Sequence, residues 1–262
     1  SCTFHSGRFE FDFAETEGEV SKFLGSKYVK SNPGGIYKKV LERLKDGEKI
    51  LFVGLPCQVA AAKHYTKNHQ NLYTIDLICH GTPSPKILEK FLDDYDVKLV
   101  DLERIRFRVK NSFRLEQNGK QFAVPTVTDN YTENCYQCNY AQLGRAGDIT
   151  LGDSWGSELE KKIQDKGVSL ILCQSDKGKN LIEKSDLVLT DVELKRAIEH
   201  NHQLQHPSQK PPQREAFFRE LNKGCKFKNV VRKCYPERYL KDTLKTLLYK
   251  AKFVGGGKAA IK

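Results

Sequence analysis

The chain has 262 residues, of which 39% are hydrophobic and 29% are charged, and its formal net charge is +11. This composition is ordinary for a soluble globular protein with a sizeable core. No stretch approaches the roughly eighteen apolar residues of a membrane-spanning helix, and no apolar secretory leader opens the sequence, so we expect a cytoplasmic protein.

The first third of the chain predicts short strands and helices. Strict alternation over residues 8–13 predicts a half-buried strand, and Thr16 with Glu19 forms a capping box for a short helix. Residues 25–31 are typical of a strand or an extended loop. Asn32 followed by Pro33 predicts the start of a helix that Gly47 ends.

Alternating strands and helices come next. Residues 49–54 and 72–78 are apolar runs typical of buried strands, and helices are expected over 57–65 and from Ser84 to about Tyr95. This order predicts an α/β fold with a mostly parallel sheet and helices on both faces. The turns GLPCQ and CHGTPSP follow the two strands, so they should lie at the carboxyl ends, where such sheets bind ligands.

From about residue 102 the pattern becomes that of an antiparallel insertion, which we expect to reach about residue 150. Residues 104–109 alternate, and Asn118-Gly119 is a type I′ hairpin signal. Beyond it, the sequence predicts a helix near 177–184 and three more strands, at 148–153, 168–173 and 187–192.

The sequence indicates two parts: an α/β domain over 1–205 and a basic helical segment over 206–262. The last seventy residues contain 17 basic and 6 acidic residues, whereas residues 1–192 contain 27 of each. In 239–252, one helical stripe is apolar and lysines occupy much of the rest; the stripe comprises Leu240, Leu244, Leu247, Leu248 and Ala251. Such a basic amphipathic helix could lie on an anionic membrane surface, although packing on its own domain is the commoner arrangement.

Four of the eight cysteines occur where a bound metal would be expected. Cys135 and Cys138 form a C-x-x-C, while Cys57 and Cys79 each follow a predicted strand directly. Four thiolates from three loops would make a Cys₄ site for zinc or for an iron–sulfur cluster. Single, widely spaced partners on an α/β core favour the cluster, and a thioredoxin-like dithiol is the weakest interpretation.

Several segments, in this order, resemble the coenzyme F420 hydrogenase/dehydrogenase beta-subunit family: GSKYVKS, ILFVGLPCQVA, LYTIDLICHGTPSP, CYQCNYA and DITLGDSWG. The resemblance covers about residues 20–215. It implies an iron–sulfur flavoprotein oxidoreductase that exchanges a hydride between bound FAD and an F420-like deazaflavin or another organic substrate. It also implies that electrons pass through a 4Fe–4S cluster with the ligands Cys57, Cys79, Cys135 and Cys138.

The family's N-terminal ferredoxin domain, with its C-x₂-C-x₂-C-x₃-C-P runs, is absent from this sequence. The external electron relay is then missing, cut away or located elsewhere, and a ferredoxin-type protein is an expected electron partner. The other expected partners are the small-molecule substrate or deazaflavin and, at the basic helix, a membrane surface. No nucleic acid is expected, because aromatic residues do not interleave the basic tail.

The flavin site rests on the resemblance, since the sequence has neither a G-x-G-x-x-G fingerprint nor a P-loop. The loops able to offer backbone N–H groups give the predicted contacts Gly54, Pro56, Gln58, Gly81, Thr82, Gly152 and Asp153. Further contacts to the flavin phosphates or the substrate are predicted for Lys27, Tyr28 and Ser31. The alternative interpretation is that these residues simply belong to an exposed strand.

Three other side chains have two interpretations each. His80 is the predicted catalytic residue, donating protons to reduced flavin, and it could instead hydrogen-bond a cluster sulfur. Trp155 would stack on a ring system or anchor a loop. Arg214 would touch a nucleotide phosphate or form a surface salt bridge.

Two alternative functions remain open from the sequence. One is a zinc-stabilised Cys₄ binding module. The other is a catalytically degenerate member of the family that acts as a partner protein in polysaccharide biosynthesis.

Overall fold

The computed structural model describes residues 1–105, 107–109, 112–117, 120–123 and 130–250. The strands, in chain order, are β1 (Cys2–His5), β2 (Arg8–Phe11), β3 (Ile50–Gly54), β4 (Leu72–Leu77), β5 (Arg108–Val109), β6 (Ser112–Gln117), β7 (Lys120–Ala123), β8 (Ile149–Asp153) and β9 (Ser169–Cys173). The helices are α1 (Glu17–Val20), α2 (Ile36–Lys45), α3 (Pro56–Tyr65), α4 (Pro85–Asp93), α5 (Lys161–Gln164), α6 (Asp176–Glu183), α7 (Leu194–His200), α8 (Arg214–Asn222), α9 (Phe227–Cys234) and α10 (Pro236–Lys250).

The central sheet has the strand order β3-β4-β8-β9. The first three strands are parallel, with Ile50 opposite Leu72 and Ile75 opposite Ile149, and β9 runs antiparallel to β8. The expectation of a mostly parallel sheet in an α/β fold is confirmed. Because β3, β4 and β8 point the same way, the loops that follow them emerge at one end of the sheet.

Helices contact both faces of this sheet, as the sequence predicts, although Leu51 and Leu77 on the second face stay exposed. On one face, Ile50, Phe52 and Leu72 form a core with the buried side chains of α2 and α3. On the other face, α6 packs against β4 and β9, and its Lys177 ammonium lies 5.0 Å from the centroid of the Tyr73 ring on β4. Gly178 allows this approach, since a Cβ there would be 2.1 Å from the carbonyl oxygen of Asp148.

A second core joins the amino-terminal hairpin and α4 to the C-terminal helices. We call it the aromatic core; its central members are Phe9, Phe91, Phe217, Phe227 and Val230. The Phe217 side chain is fully buried, and its ring meets that of Phe227 edge-on at 5.9 Å between centroids. Helices α8 and α9 therefore pack on elements from the first hundred residues.

Two local expectations differ from the structure, the start of α2 and the strand at 187–192. Helix α2 begins at Ile36, because the side chain of Asn32 accepts a hydrogen bond from the Gly34 N–H and holds a turn there. Residues 25–31 form a loop, one of the two predicted alternatives, and a hydrogen bond from the Lys30 N–H to the Pro83 carbonyl joins them to the loop after β4.

The predicted strand at 187–192 is wrong. Residues 186–193 are exposed and join no strand ladder in the described part of the chain, although their apolar alternation resembles a strand. Alternation reports a local period, whereas a strand also requires a neighbouring edge with which to share hydrogen bonds.

The antiparallel insertion forms as a three-stranded sheet, in which β5 is shorter than the predicted strand at 104–109. Gln117 of β6 pairs with Lys120 of β7, as a two-residue hairpin requires. The turn Asn118-Gly119 lies outside the described residues. Among the residues that the structure does describe, no helix is both long and apolar enough to cross a bilayer.

Candidate functional site

Four thiols from three segments lie near one another at the carboxyl end of the parallel strands. Burial, and to a smaller extent the charges of Cys135, Cys57 and Cys138, raise the pKa of the Cys79 thiol to about 12. The pKa of Cys57 is also raised, first by burial and then by Cys138 and Cys135. We call this set the four thiols.

Within the described ranges, no group of three or more His, Cys, Asp or Glu side chains is placed to hold a metal ion. Backbone N–H groups of Gly81 and Gln58 face the thiols of Cys79 and Cys57, and each lowers the pKa of its thiol. The Thr132 hydroxyl lies 3.2 Å from the Cys135 sulfur.

Cys57 stands in the first turn of α3, directly after β3, and is exposed. Pro56 begins this helix, and the side-chain oxygen of Gln58 accepts a hydrogen bond of 3.0 Å from the Leu55 N–H. The amide nitrogen of Gln58 donates to the hydroxyl oxygen of Ser31 at 2.9 Å. The structure thus brings together two buried residues that the sequence predicts for the flavin site, Gln58 and Ser31.

The loop after β4 is joined to the segment that carries the C-x-x-C. The Thr132 N–H donates to the carbonyl of the buried Thr82 at 2.9 Å, and the Cys135 N–H donates to the Thr132 carbonyl at 2.9 Å. On the other side of the loop, the Ser208 hydroxyl donates to the His80 carbonyl at 2.6 Å. These bonds fix the backbone that directly follows Cys79.

The C-x-x-C occupies a 3₁₀ turn over Glu133–Gln137 that Arg214 holds in place. The Arg214 guanidinium lies 2.9 Å from a Glu133 carboxylate oxygen and donates to the Tyr131 carbonyl at 3.0 Å. Tyr136 accepts a hydrogen bond from the Tyr131 N–H through its hydroxyl oxygen. Arg214 therefore forms a salt bridge, one of its two predicted roles, and this bridge is on the cysteine turn itself.

Arg145 connects the cysteine segment to the end of β4. Its side chain is 1% exposed, and its Nε lies 3.6 Å from a carboxylate oxygen of Asp76, which is 0% exposed. The guanidinium donates to the Leu77 carbonyl at 2.5 Å, to the Tyr140 carbonyl at 2.7 Å and to the Gln203 carbonyl at 3.2 Å. The Arg145 side chain thus joins three segments: the one that carries Cys79, the one that carries Cys138 and the one around Gln203.

Asp76 is the centre of a wider polar network, which we call the Asp76–Arg145 network. Its carboxylate accepts hydrogen bonds from the Gly147 N–H at 2.8 Å and from the Thr150 hydroxyl at 2.7 Å. The sequence offered a signal for it, because a charged residue inside the buried strand LYTIDL requires a partner. Sequence analysis missed both Asp76 and Arg145.

Two of the glycines predicted for the flavin site are required by packing. Gly81 has φ +130°, and a Cβ there would be 2.4 Å from the Tyr131 ring. A Cβ at Gly152 would be 2.5 Å from the Ile78 side chain. Packing within the protein explains these glycines without a ligand, so their contacts with a flavin stay predictions, as does the contact at Gly54.

The remaining residues predicted for the flavin or substrate site range from partly buried to exposed. The Lys27 ammonium donates to the Phe23 carbonyl at 2.7 Å, and burial lowers the pKa of Lys27. Tyr28 packs edge-on to Phe107 beside the aromatic core. Asp153 and Trp155 are exposed at and after the end of β8.

The structure adds two histidines beside His80 that the sequence analysis missed. The ring of His202 meets that of the exposed His80 edge-on at 5.4 Å, and it stacks on His206 at 5.3 Å. Burial lowers the pKa of His202, and the charge of His206 lowers it further. The spacing in HNHQLQH was the available signal.

The four thiols lie in the part of the chain that matches a known protein family. Residues 47–195, more than half of the chain, match the family described as the C terminus of the coenzyme F420 hydrogenase/dehydrogenase beta subunit. The fold is similar to a chain in the xenon-derivatized F420-reducing NiFe hydrogenase complex from Methanosarcina barkeri, with a TM-score of 0.51 and 21% identity. That similarity covers 79% of this chain and 80% of the matched chain, and at this identity it shows the fold alone.

Proposed function

This chain belongs to the coenzyme F420 hydrogenase/dehydrogenase beta-subunit family, and from that premise we propose that it is an iron–sulfur flavoprotein oxidoreductase. The proposed reaction exchanges a hydride between bound FAD and an F420-like deazaflavin or another organic substrate. The observation that carries the proposal is the proximity of the four thiols at the carboxyl end of a parallel sheet.

The donor set supports a 4Fe–4S cluster as the ligand of Cys57, Cys79, Cys135 and Cys138. Four cysteine thiolates are the usual ligands of such a cluster. When bound, the cluster would supply one-electron transfer and the flavin would supply hydride transfer.

The surrounding residues would position the thiols and influence their electronic properties. Hydrogen bonds to cluster sulfurs and the burial of ligands both change a reduction potential. The Thr132 hydroxyl and the Gly81 N–H face the sulfurs of Cys135 and Cys79 and would serve this role. His80 would hold the proton that accompanies hydride transfer, and the adjacent ring of His202 would keep it in position.

The flavin contacts remain part of the proposal. The buried pair of Gln58 and Ser31 links two of the predicted segments, which supports one common site for them. The electron partner would be a ferredoxin-type protein docking near the four thiols, of which Cys57 is the exposed one.

The test is metal and flavin analysis of the protein purified and reconstituted without oxygen. We expect iron and acid-labile sulfide in equal amounts, bound flavin and a broad absorption that bleaches on reduction. Cys57→Ser and Cys79→Ser should lose most of the iron. Stoichiometric zinc without iron, or full iron in both variants, would overturn the proposal.

Cys173→Ser is the matched control. Cys173 is exposed and pairs with Ile149 at the start of β8, so it lies at the opposite end of the sheet from the four thiols. This variant should keep its iron, which would separate loss of a ligand from a general effect of removing a thiol.

A further inference from the structure

Helix α10 exposes a stripe of leucines. Leu240 is 60% exposed, and Leu244 and Leu247 are each 57% exposed. These positions are spaced by four and three residues, so they lie on one face of the helix. An apolar helix face usually packs on its own domain. These three leucines do not pack in that way within the described part of the molecule.

The helix is attached to the protein through a different set of contacts. Tyr239 packs beside the aromatic core, and its N–H donates to the Tyr235 carbonyl at 2.9 Å, continuing the chain from α9 into α10. The amino-terminal turn of α10 is thus fixed on the folded body. The leucines are held in position on a supported helix and not on a free peptide.

The C-terminal segment that contains the stripe carries a large excess of positive charge. Residues 214–250 contain eleven lysines and arginines against four aspartates and glutamates. Several of these cations are exposed and form no ion pair with any residue that the structure describes; they are Lys226, Lys228, Arg232 and Lys241. Lys241 follows the first leucine of the stripe directly.

We propose that α10 binds the surface of an anionic lipid bilayer, with its leucine stripe in the headgroup region and the neighbouring cations against lipid phosphates and carboxylates. Exposed leucines and an excess of positive charge are the two features by which interfacial helices bind anionic membranes. Each cation near such a surface strengthens binding about fivefold.

The positive charge and the exposed leucines together favour an anionic bilayer over a second copy of the chain or a nucleic acid. A second copy of the chain would bring two positive segments together, and that repulsion opposes a dimer through α10. A nucleic acid would satisfy the cations but would leave the leucines in water. An anionic bilayer is complementary to both features at once.

The experiment is co-sedimentation of the full chain with vesicles of phosphatidylcholine alone or mixed with phosphatidylserine. We expect binding to the mixed vesicles only, and weaker binding as salt is added. The double variant Leu240→Ser with Leu244→Ser should bind about 10- to 100-fold more weakly, because two half-exposed leucines no longer enter the interface. Lys241→Gln should weaken binding about fivefold.

Leu24→Ser is the matched control, since Leu24 is 74% exposed and lies in the loop after α1. It should bind vesicles as the unmodified protein does. Equal binding to both vesicle types, unchanged binding of the double variant, or a concentration-dependent dimer that the double variant abolishes would each overturn the proposal. Circular dichroism and thermal melts of every variant would show that loss of binding is not loss of folding.

Discussion

The two ends of this molecule are stabilised by different interactions. At the carboxyl end of the central sheet, the buried Asp76–Arg145 network joins the segments that carry the cysteines. In the C-terminal helices, aromatic side chains such as Phe217 and Phe227 pack in an apolar core, and ion pairs stay at its edge. Directional polar bonds fix positions, whereas apolar packing mainly supplies stability.

This difference predicts that a change in each region has a distinct result. A substitution in the Asp76–Arg145 network should alter both stability and the four thiols. A substitution in the aromatic core should alter stability and leave the four thiols as they are. Measuring unfolding and iron content on the same samples separates the two effects.

Arg145→Met should have the largest effect. It leaves the Asp76 carboxylate buried without its cation, and breaking a buried pair in this way costs about 3–5 kcal/mol. It also removes the donors to the Leu77 and Tyr140 carbonyls, so the segments carrying Cys79 and Cys138 should separate. We expect a lower free energy of unfolding by denaturant and, given the proposed function, lower iron content.

Two further variants test whether the charge or the geometry of Arg145 matters. The double variant Asp76→Asn with Arg145→Met removes both charges and should recover part of the stability without recovering iron. Arg145→Lys keeps the charge but lacks the planar fork that reaches several carbonyls. If Arg145→Met bound iron as well as the unmodified protein does, the network would be structural only.

Phe217→Leu should have a smaller effect, confined to stability. Phe217 is fully buried among Phe218, Phe227 and Tyr235, and a leucine there leaves a small cavity. The lost apolar area and the cavity together should lower the free energy of unfolding by about 1–2 kcal/mol. Iron content should not change. A loss of iron here would show that the two ends of the molecule are coupled.

The sheet was predictable because its signals are local. Short apolar runs bounded by glycine and proline gave β3 and β4, and Pro56 and Pro85 marked the starts of α3 and α4. The cysteines could be assigned to one end of the sheet because parallel strands share a direction. Periodicity, turn residues and topology were sufficient for this part of the molecule.

The Asp76–Arg145 network and the histidines beside His80 were not predictable in the same way. Asp76 and Arg145 are 69 residues apart in the chain, and nothing in the sequence says which cation pairs with which buried carboxylate. The segment at 187–192 failed for a related reason, because pairing depends on an edge supplied by distant residues. Which remote segments interact becomes known only from the folded structure.

Glu220 carries the edge ion pairs of the C-terminal helices. Its carboxylate lies 2.8 Å from the Lys233 ammonium and 2.9 Å from that of Lys223. These hydrogen bonds, with Lys233 the stronger partner, lower the pKa of Glu220 from an ordinary 4.5 to about 2. The folded state therefore binds the proton more weakly than the unfolded state does.

Glu220→Gln should have the smallest effect, and one that depends on pH. A depressed folded-state pKa stabilises the protein above the unfolded value of 4.5, and this contribution is lost as pH falls towards about 2. The melting temperature of the variant should thus lie below that of the unmodified protein at neutral pH and approach it in acid. Glu89→Gln, at an exposed position of α4, should show no such convergence. A constant difference between the Glu220 variant and the unmodified protein at every pH would mean that packing, and not the ion pairs, makes Glu220 stabilising.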